Sequence, residues 1–181
     1  GNNIIYEDKS ITVNTVPLKH RKSCCGFVFR EKEKLRHINR EMIDFYGIPL
    51  CYLNSIKEGN DYVKTDGTVI PNERLTTAPS PSRAYAFISD TLPLKAVANE
   101  VKGIDLLYHE ATFDSSLKDR AKETCHSTAA DAANIAKMAG VKKLMIGHFS
   151  SRYTDDSLLL KEAQAVFPET ILANEGLTVN L

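Results

Sequence analysis

Three short apolar runs are each followed at once by residues that can bind a metal ion or transfer a proton. Runs of this length are typical of buried strands, and ligands of open α/β sheets gather outside the carboxyl ends of the strands. The pattern therefore predicts an α/β fold whose sheet edge carries a metal-dependent hydrolytic site. The runs and the residues after them are 84–88 with Asp90, 104–108 with His109 and Glu110, and 143–147 with His148.

Further strands and helices are predicted on both sides of these runs. Apolar and β-branched stretches bounded by turn residues indicate strands at 4–6, 11–16, 25–29 and 170–173. Helical patterns cover 94–101, 115–123, 128–139 and 157–167. The third of these helices begins with a capping signal, Thr128 with Asp131, and ends before Gly140.

Bulk properties indicate a chain of ordinary globular character. With 181 residues and zero formal net charge, it fits one domain or part of a larger one. It has no apolar run long enough to span a bilayer and no signal-peptide pattern at its start. Its four cysteines match neither a zinc ribbon nor a redox Cys-x-x-Cys motif, so reduced thiols in a cytoplasmic protein are expected.

The stretch 30–82 has a different character. It is polar and punctuated by glycine and proline, and Asp66-Gly67 signals a hairpin. We interpret it as an insertion that leaves the main sheet and forms a mobile arm with few apolar residues to anchor it. A basic run overlaps its start, with eight Lys/Arg and two Glu between Lys19 and Arg40, which suits either a solvated surface or a phosphate-contacting patch.

Four of the five histidines sit beside turn or strand-end signals. His20 lies on a connection between two strands, and with Asp90 and His148 it would form a ligand set for one or two metal ions. Imidazole and carboxylate accept zinc, manganese, iron or cobalt. His126 precedes a helix, where it is either a surface residue or a general acid oriented by Glu110.

The motifs in this order resemble those of RNase Z, the tRNA 3′-processing endonuclease. The resemblance spans nearly all of the 181 residues. The matching segments are Pro17-Leu18-Lys19-His20, Ser89-Asp90-Thr91, His109-Glu110-Ala111-Thr112-Phe113, His126-Ser127-Thr128 and His148-Phe149-Ser150-Ser151-Arg152-Tyr153.

The resemblance implies part of a metallo-β-lactamase-type αββα sandwich with a protruding arm. It implies a zinc-dependent endoribonuclease with two zinc ions that removes the 3′ trailer from precursor tRNA. His20, Asp90 and His148 carry over as zinc ligands, and His126 carries over as the proton-transfer residue. The 30–82 insertion carries over as the arm that binds tRNA, and the family is commonly homodimeric.

The chain departs from the family pattern in three places. The His-x-His-x-Asp-His motif is absent from its sequence, Ser89 replaces a glycine, and Leu50-Cys51-Tyr52 replaces a Gly-Pro-containing stretch. The absent motif supplies further zinc ligands and the aspartate that activates water. We therefore expect 1–181 to be the C-terminal portion of the enzyme, inactive without its missing N-terminal portion.

Two other functions are compatible with the sequence. A hydrolase of small phosphodiesters or sulfate esters would use the same metal ligands without needing the arm. A non-catalytic RNA-binding piece would account for the absent histidine motif.

Overall fold

The computed structural model describes residues 3–181, and its strands and helices follow one another in the predicted order. The strands are β1 (Asn3–Glu7), β2 (Ile11–Pro17), β3 (Cys25–Glu31), β4 (His37–Ile38), β5 (Tyr62–Val63), β6 (Val69–Ile70), β7 (Thr76–Thr77), β8 (Ala84–Ile88), β9 (Leu106–Glu110), β10 (Lys143–Gly147) and β11 (Thr170–Leu172). The helices are α1 (Arg40–Tyr46), α2 (Leu53–Lys57), α3 (Asn72–Leu75), α4 (Lys95–Glu100), α5 (Lys118–Thr124), α6 (Ala129–Ala139) and α7 (Ser157–Val166), with 3₁₀ turns at Leu50–Tyr52 and Ser115–Leu117.

Within residues 3–181, the main sheet has seven strands in the order β1-β2-β3-β8-β9-β10-β11. The first four pair antiparallel, and β8, β9, β10 and β11 pair parallel. Connections between the parallel strands run through α4, α5, α6 and α7. The predicted α/β class is confirmed, and the parallel half brings the carboxyl ends of β8, β9, β10 and β11 to one edge of the sheet.

The helix α6 packs closely on the sheet because one of its faces is made of alanine. Ala129, Ala132, Ala133 and Ala136 are buried in the main core with Leu107 and other sheet residues. The predicted capping box is present, since the Thr128 side chain accepts from the Asp131 N–H and Asp131 accepts from the Thr128 N–H. Gly140 ends the helix at φ 62°, a left-handed conformation that glycine adopts without strain.

The strand β9 is displaced from its predicted position. The apolar run 104–108 predicts a strand that ends at Tyr108, whereas β9 covers Leu106–Glu110. His109 and Glu110 are therefore part of the strand and are completely buried. Their burial explains the error, because polar residues inside a strand do not fit the apolar pattern from which the strand was predicted.

The chain divides into two compact units. One consists of the chain up to Glu31 together with Arg83–Leu181, and it contains the main sheet; the other is Lys32–Ser82. In the second unit a cluster of buried apolar side chains holds short helices and two small sheets together. The prediction that this stretch has few apolar anchors is wrong, since its cluster consists of Ile43, Ile48, Ile56, Ile70 and Leu75.

The role of an arm stays a prediction for this second unit. Its two ends lie together, because the Ser82 hydroxyl donates to the Lys32 carbonyl at 2.8 Å. In the first unit, the Glu31 N–H donates to the Arg83 carbonyl at 2.9 Å, so β3 and β8 meet where the chain leaves and re-enters the sheet. None of the helices formed by residues 3–181 is long and apolar enough to cross a membrane.

His109 is a buried histidine with one unused nitrogen. Its Nδ1 lies 2.7 Å from the Glu110 carbonyl oxygen, which can only accept, so Nδ1 carries the proton. Nε2 is the buried side-chain atom of residues 3–181 that has no hydrogen-bond partner. The sequence grouped His109 with the residues of the sheet edge, but the structure places it in the core, where burial lowers its pKa.

We expect His109 to make folding stability depend on pH. The unfolded chain takes up a proton at this residue as the pH falls through about 6.5, while the folded chain stays neutral there. Below that pH, His109 therefore lowers the free energy of unfolding of the wild-type chain by up to about 1.4 kcal/mol per pH unit. Urea unfolding of wild type and His109→Gln between pH 7 and pH 5 should show their difference in stability shrinking as the pH falls. A difference that is constant with pH would contradict the assignment.

Candidate metal and proton-transfer site

The parallel strands bring Asp90, Glu110 and His148 to one edge of the sheet. Asp90 lies two residues beyond β8, Glu110 is the last residue of β9, and His148 follows β10 directly. Since Gly147 pairs with Glu110 in the register of β9 and β10, His148 lies one position beyond Glu110 at this edge. The predicted placement of Asp90 and His148 at strand ends is therefore found in the structure.

His20 comes to the same edge from the antiparallel half of the sheet. It lies between β2 and β3, and β3 runs antiparallel to β8, so the start of β3 lies beside the end of β8. The connection is held there because the Leu92 N–H donates to the Lys19 carbonyl at 2.9 Å. The ring centroids of His20 and His126 are 4.9 Å apart.

Asp90, His126 and His148 form a group with metal-ligand spacing. Each offers a ligand atom, and these atoms all lie within 4.8 Å of one another. The rings of His126 and His148 stack at 5.3 Å between centroids. His20, predicted as a ligand, is not part of this group and lies next to it, in ring contact with His126. His126, predicted as an acid, lies within the group.

The carboxylate of Glu110 organises this edge from beneath. It is completely buried. Burial would raise the pKa of Glu110, but hydrogen bonds from His126, the Thr91 N–H and Thr112 together hold that pKa below its usual value. Glu110 is therefore a carboxylate that only accepts hydrogen bonds. Its five contacts are Thr91 N at 3.0 Å, His126 Nδ1 at 2.9 Å, Ser127 N at 3.1 Å, Thr112 N at 3.0 Å and Thr112 Oγ1 at 2.8 Å.

The hydroxyl of Thr112 passes this constraint to His148. A threonine hydroxyl has one hydrogen to donate, and Glu110 Oε2 at 2.8 Å can only accept it. His148 Nδ1 lies 2.9 Å from the same hydroxyl oxygen, so Nδ1 must be the donor of that second hydrogen bond. In a neutral imidazole this leaves Nε2 of His148 without a proton and with a free lone pair.

That lone pair faces the carboxylate of Asp90. His148 Nε2 lies 3.3 Å from Asp90 Oδ1. Two lone-pair atoms at this distance repel each other unless a cation, either a proton or a metal ion, lies between or beside them. The donor set of imidazole nitrogen and carboxylate oxygen suits a zinc ion, so the residues present fit the metal that the sequence predicted.

His20 is prepared in the same way as His148. Its Nδ1 lies 3.0 Å from the Cys125 carbonyl oxygen, which can only accept, so the proton of a neutral imidazole is on Nδ1 and Nε2 is free. Metal-binding histidines commonly donate their other N–H to a carbonyl or carboxylate in this manner. Cys125 has φ 62° and His148 has φ 61°, a conformation that non-glycine residues rarely adopt and that clusters at functional sites.

His126 differs from the other two histidines in its partner. Its Nδ1 donates to the charged carboxylate of Glu110 at 2.9 Å, whereas His20 and His148 donate to a neutral carbonyl and a neutral hydroxyl. The hydrogen bond to Glu110 raises the pKa of His126. An imidazolium at His126 is thereby favoured, which suits a proton donor better than a metal ligand.

Sequence reasoning missed two residues of this site. Thr112 is in the matched motif, but its link to His148 joins residues that follow two different strands, so no local sequence pattern signals it. Cys125 acts through its backbone carbonyl, which no residue type can signal. Asp114 caps the 3₁₀ turn by accepting from the Ser116 N–H and also accepts from the Tyr153 hydroxyl.

Comparison with known proteins agrees with the motifs of this edge. The chain is 56% identical over 178 residues to Ribonuclease Z of Bacteroides fragilis, covering 98% of this chain and 59% of that protein. It is 49% identical to Ribonuclease Z of Porphyromonas gingivalis, with the same two coverages of 98% and 59%. The resemblance to RNase Z is confirmed. The chain thus spans about three fifths of the length of these relatives, and no family model matches it.

Solved structures support the fold. The short form of human tRNase Z superimposes with a TM-score of 0.58 at 22% identity, covering 99% of this chain and 46% of the human protein. The metallo-β-lactamase fold protein YhfI from Bacillus subtilis gives a TM-score of 0.62 at 16% identity, covering 97% of this chain and 51% of that protein. The predicted fold is confirmed by these similarities.

We expect Thr112→Val to weaken divalent-metal binding because it removes the hydroxyl that fixes the tautomer of His148. Loss of such a supporting hydrogen bond costs about 10–100-fold in metal affinity. Titration of Zn²⁺ against a fluorescent chelator measures the change. Thr112→Ser keeps the hydroxyl and should bind like wild type. Equal affinities for the valine and serine variants would show that the hydroxyl does not prepare His148.

Proposed function

We propose that the chain is part of a zinc-dependent endoribonuclease that removes the 3′ trailer from precursor tRNA. The observation that carries this proposal is the split among three histidines. His148 and His20 both use Nδ1 as the donor, which leaves Nε2 free, and Nε2 of His148 lies 3.3 Å from Asp90; His126 is instead paired with the buried carboxylate of Glu110. The relatives named Ribonuclease Z support the same activity.

His20, Asp90 and His148 would hold zinc in the complete enzyme. Bound zinc would supply a Lewis acid and a water of lowered pKa beside the scissile phosphate. Two ions need more than three protein donors, so other donors must come from outside this ligand set. The absent His-x-His-x-Asp-His motif of the family would supply them. The isolated chain is therefore expected to bind metal weakly and to cleave little RNA.

His126 would act as the general acid. In the proposed reaction water attacks phosphorus, the bond between phosphorus and the 3′ oxygen breaks, and the 3′ oxygen leaves with a proton from His126. Glu110 fixes the ring by accepting from Nδ1, so the proton to be transferred is the one on Nε2. The products are a 3′ hydroxyl on the tRNA and a 5′ phosphate on the trailer.

The remaining features of the proposal follow from the family resemblance. The unit Lys32–Ser82 would be the tRNA-binding arm, and the enzyme would be a cytoplasmic homodimer.

Part of the basic run already has structural partners. The Arg30 guanidinium donates to the Glu100 carbonyl at 3.1 Å, and the Arg36 Nε donates to the Thr76 hydroxyl at 2.6 Å. Arg21 also donates to a carbonyl, that of Glu123 at 3.1 Å.

Replacing His126 by alanine should slow cleavage far more than it weakens binding. We suggest a chimera in which this chain replaces the matching segment of the B. fragilis Ribonuclease Z, so that the missing donors are present. General acid catalysis contributes about 10²–10⁴-fold, and single-turnover cleavage of precursor tRNA should fall within that range. Glu110→Gln should produce a smaller loss of the same kind.

Zinc content and melting temperature of the same variant distinguish the competing roles. An unchanged zinc content together with slow cleavage supports the role of His126 as the general acid. Lost zinc would make His126 a ligand, which the group formed with Asp90 and His148 also allows. A normal cleavage rate with a lowered melting temperature would show that His126 stabilises the fold before α6 and takes no part in catalysis.

Removing the unit Lys32–Ser82 separates tRNA processing from hydrolysis of small phosphodiesters. Since Glu31 and Arg83 are hydrogen-bonded at the end of an antiparallel pair, a two-residue Asn-Gly turn can join them and leave the sheet intact. In the chimera this deletion should abolish most cleavage of precursor tRNA and leave hydrolysis of bis-p-nitrophenyl phosphate close to normal. Equal loss of both activities would contradict the role of an arm, and no loss of either would favour the small-substrate hydrolase.

A further inference from the structure

A cavity of about 400 Å³ opens beside His126, within the unit that carries the main sheet. Its volume falls in the range of about 300–1,000 Å³ that is typical of small-ligand sites. One wall comes from the segment that follows β8, with Leu92, Pro93 and Leu94. α5 supplies Lys118, Asp119, Ala121 and Lys122 to the lining, and His126 of the sheet edge also lines the cavity.

The lining combines an apolar surface with cationic side chains. Leu92, Pro93 and Ala121 supply the apolar part. Lys118 and Lys122 are one helical turn apart on α5 and therefore project from the same face, and Lys19 enters from the connection that carries His20. A surface of this kind suits a flat, weakly polar group attached to an anion.

Two acidic residues also line the cavity. Asp131 is committed to the start of α6, where it accepts from the Thr128 N–H at 3.2 Å and from the Thr128 hydroxyl at 2.8 Å. Asp119 lies between the two lysines of α5 in sequence. Three lysines and two aspartates therefore line the cavity, and one of the aspartates is already hydrogen-bonded at the start of α6, so the charge of the lining is positive on balance.

We propose that this cavity binds the nucleotide on the leaving side of the scissile phosphate, as a nucleoside 5′-monophosphate unit. The proposal rests on the proposed function. If His126 protonates the leaving 3′ oxygen, the nucleoside that carries this oxygen must lie beside His126. The base then lies on Leu92 and Pro93, and the phosphate on the 5′ side of that nucleoside meets Lys118 and Lys122.

The lining also indicates that the cavity binds the base without distinguishing one base from another. The part of the lining on which we place the base, Leu92 and Pro93, has no side-chain hydrogen-bonding group that could match the edge of a base. Apolar contact tolerates all four bases, because every base has a similar face. The four nucleoside monophosphates should accordingly bind with affinities within a few-fold of one another.

Adenosine 5′-monophosphate titrated into the methyl-labelled chain tests the site by NMR. The methyl resonances of Leu92, Leu94 and Ala121 should shift together. Exposed ion pairs contribute modestly, so Lys118→Ala with Lys122→Ala should weaken binding roughly fivefold to thirtyfold. Lys137→Ala with Lys161→Ala removes the same charge from exposed positions on other helices and should leave the affinity as it is. Adenosine should shift the same methyl groups and show no dependence on the α5 lysines.

The outcomes separate this proposal from the proposed function. Methyl groups that stay unmoved at millimolar nucleotide, or equal weakening by both lysine pairs, would overturn the cavity proposal even if the chimera cleaves precursor tRNA. Selective weakening by the α5 pair supports the cavity as a nucleotide site even if the chimera proves inactive on tRNA. A preference of more than tenfold for one base would overturn the inference that the base is not read.

Discussion

The buried carboxylate of Glu110 is the constraint on which the candidate site depends. An ionised carboxylate removed from water is very costly unless its lone pairs are satisfied. Here five donors converge on its two oxygens, and they come from three segments: the one after β8, the one after β9 and the one that precedes α6. Each hydrogen bond to a charged group contributes about 1.5–3 kcal/mol, so loss of any one would leave a large local penalty. The charge therefore holds three loops at the sheet edge in one arrangement.

The same carboxylate explains why neighbouring histidines can have different roles. His126 donates a hydrogen bond directly to Glu110, and this hydrogen bond and the negative charge of Glu110 raise the pKa of His126, which favours its doubly protonated form. His148 is linked to Glu110 only through the hydroxyl of Thr112. That neutral hydroxyl fixes which nitrogen of His148 donates, but it brings no charge next to the ring. One buried anion thus favours a proton donor on one side and orients a neutral imidazole on the other, although the two rings are stacked. Burial and hydrogen-bond polarity, rather than residue type, distinguish the two.

How much of this could be predicted from sequence depends on the range of the interactions involved. The capping box of Thr128 and the strand-end positions of Asp90 and His148 come from local periodicity, and the structure shows them as predicted. The end of β9 was misplaced because His109 and Glu110 are polar residues whose burial is made tolerable by contacts distant in sequence. The tautomer of His20 depends on a backbone carbonyl 105 residues away, which no local pattern encodes.

Acid catalysis and metal binding differ in how far this chain provides for them. The pairing of His126 with Glu110 is complete within the described residues, because every hydrogen bond that fixes the ring and its charge comes from the unit that carries the main sheet. Hydrogen bonds also orient His20 and His148 among the proposed metal ligands, but three side chains cannot satisfy the two zinc ions proposed for the complete enzyme. Preorganisation of the proton donor should therefore survive in the isolated chain even where metal binding is weak. If His126 is the acid, as proposed, its geometry does not depend on the metal, and metal binding would complete a site in which the acid is already oriented.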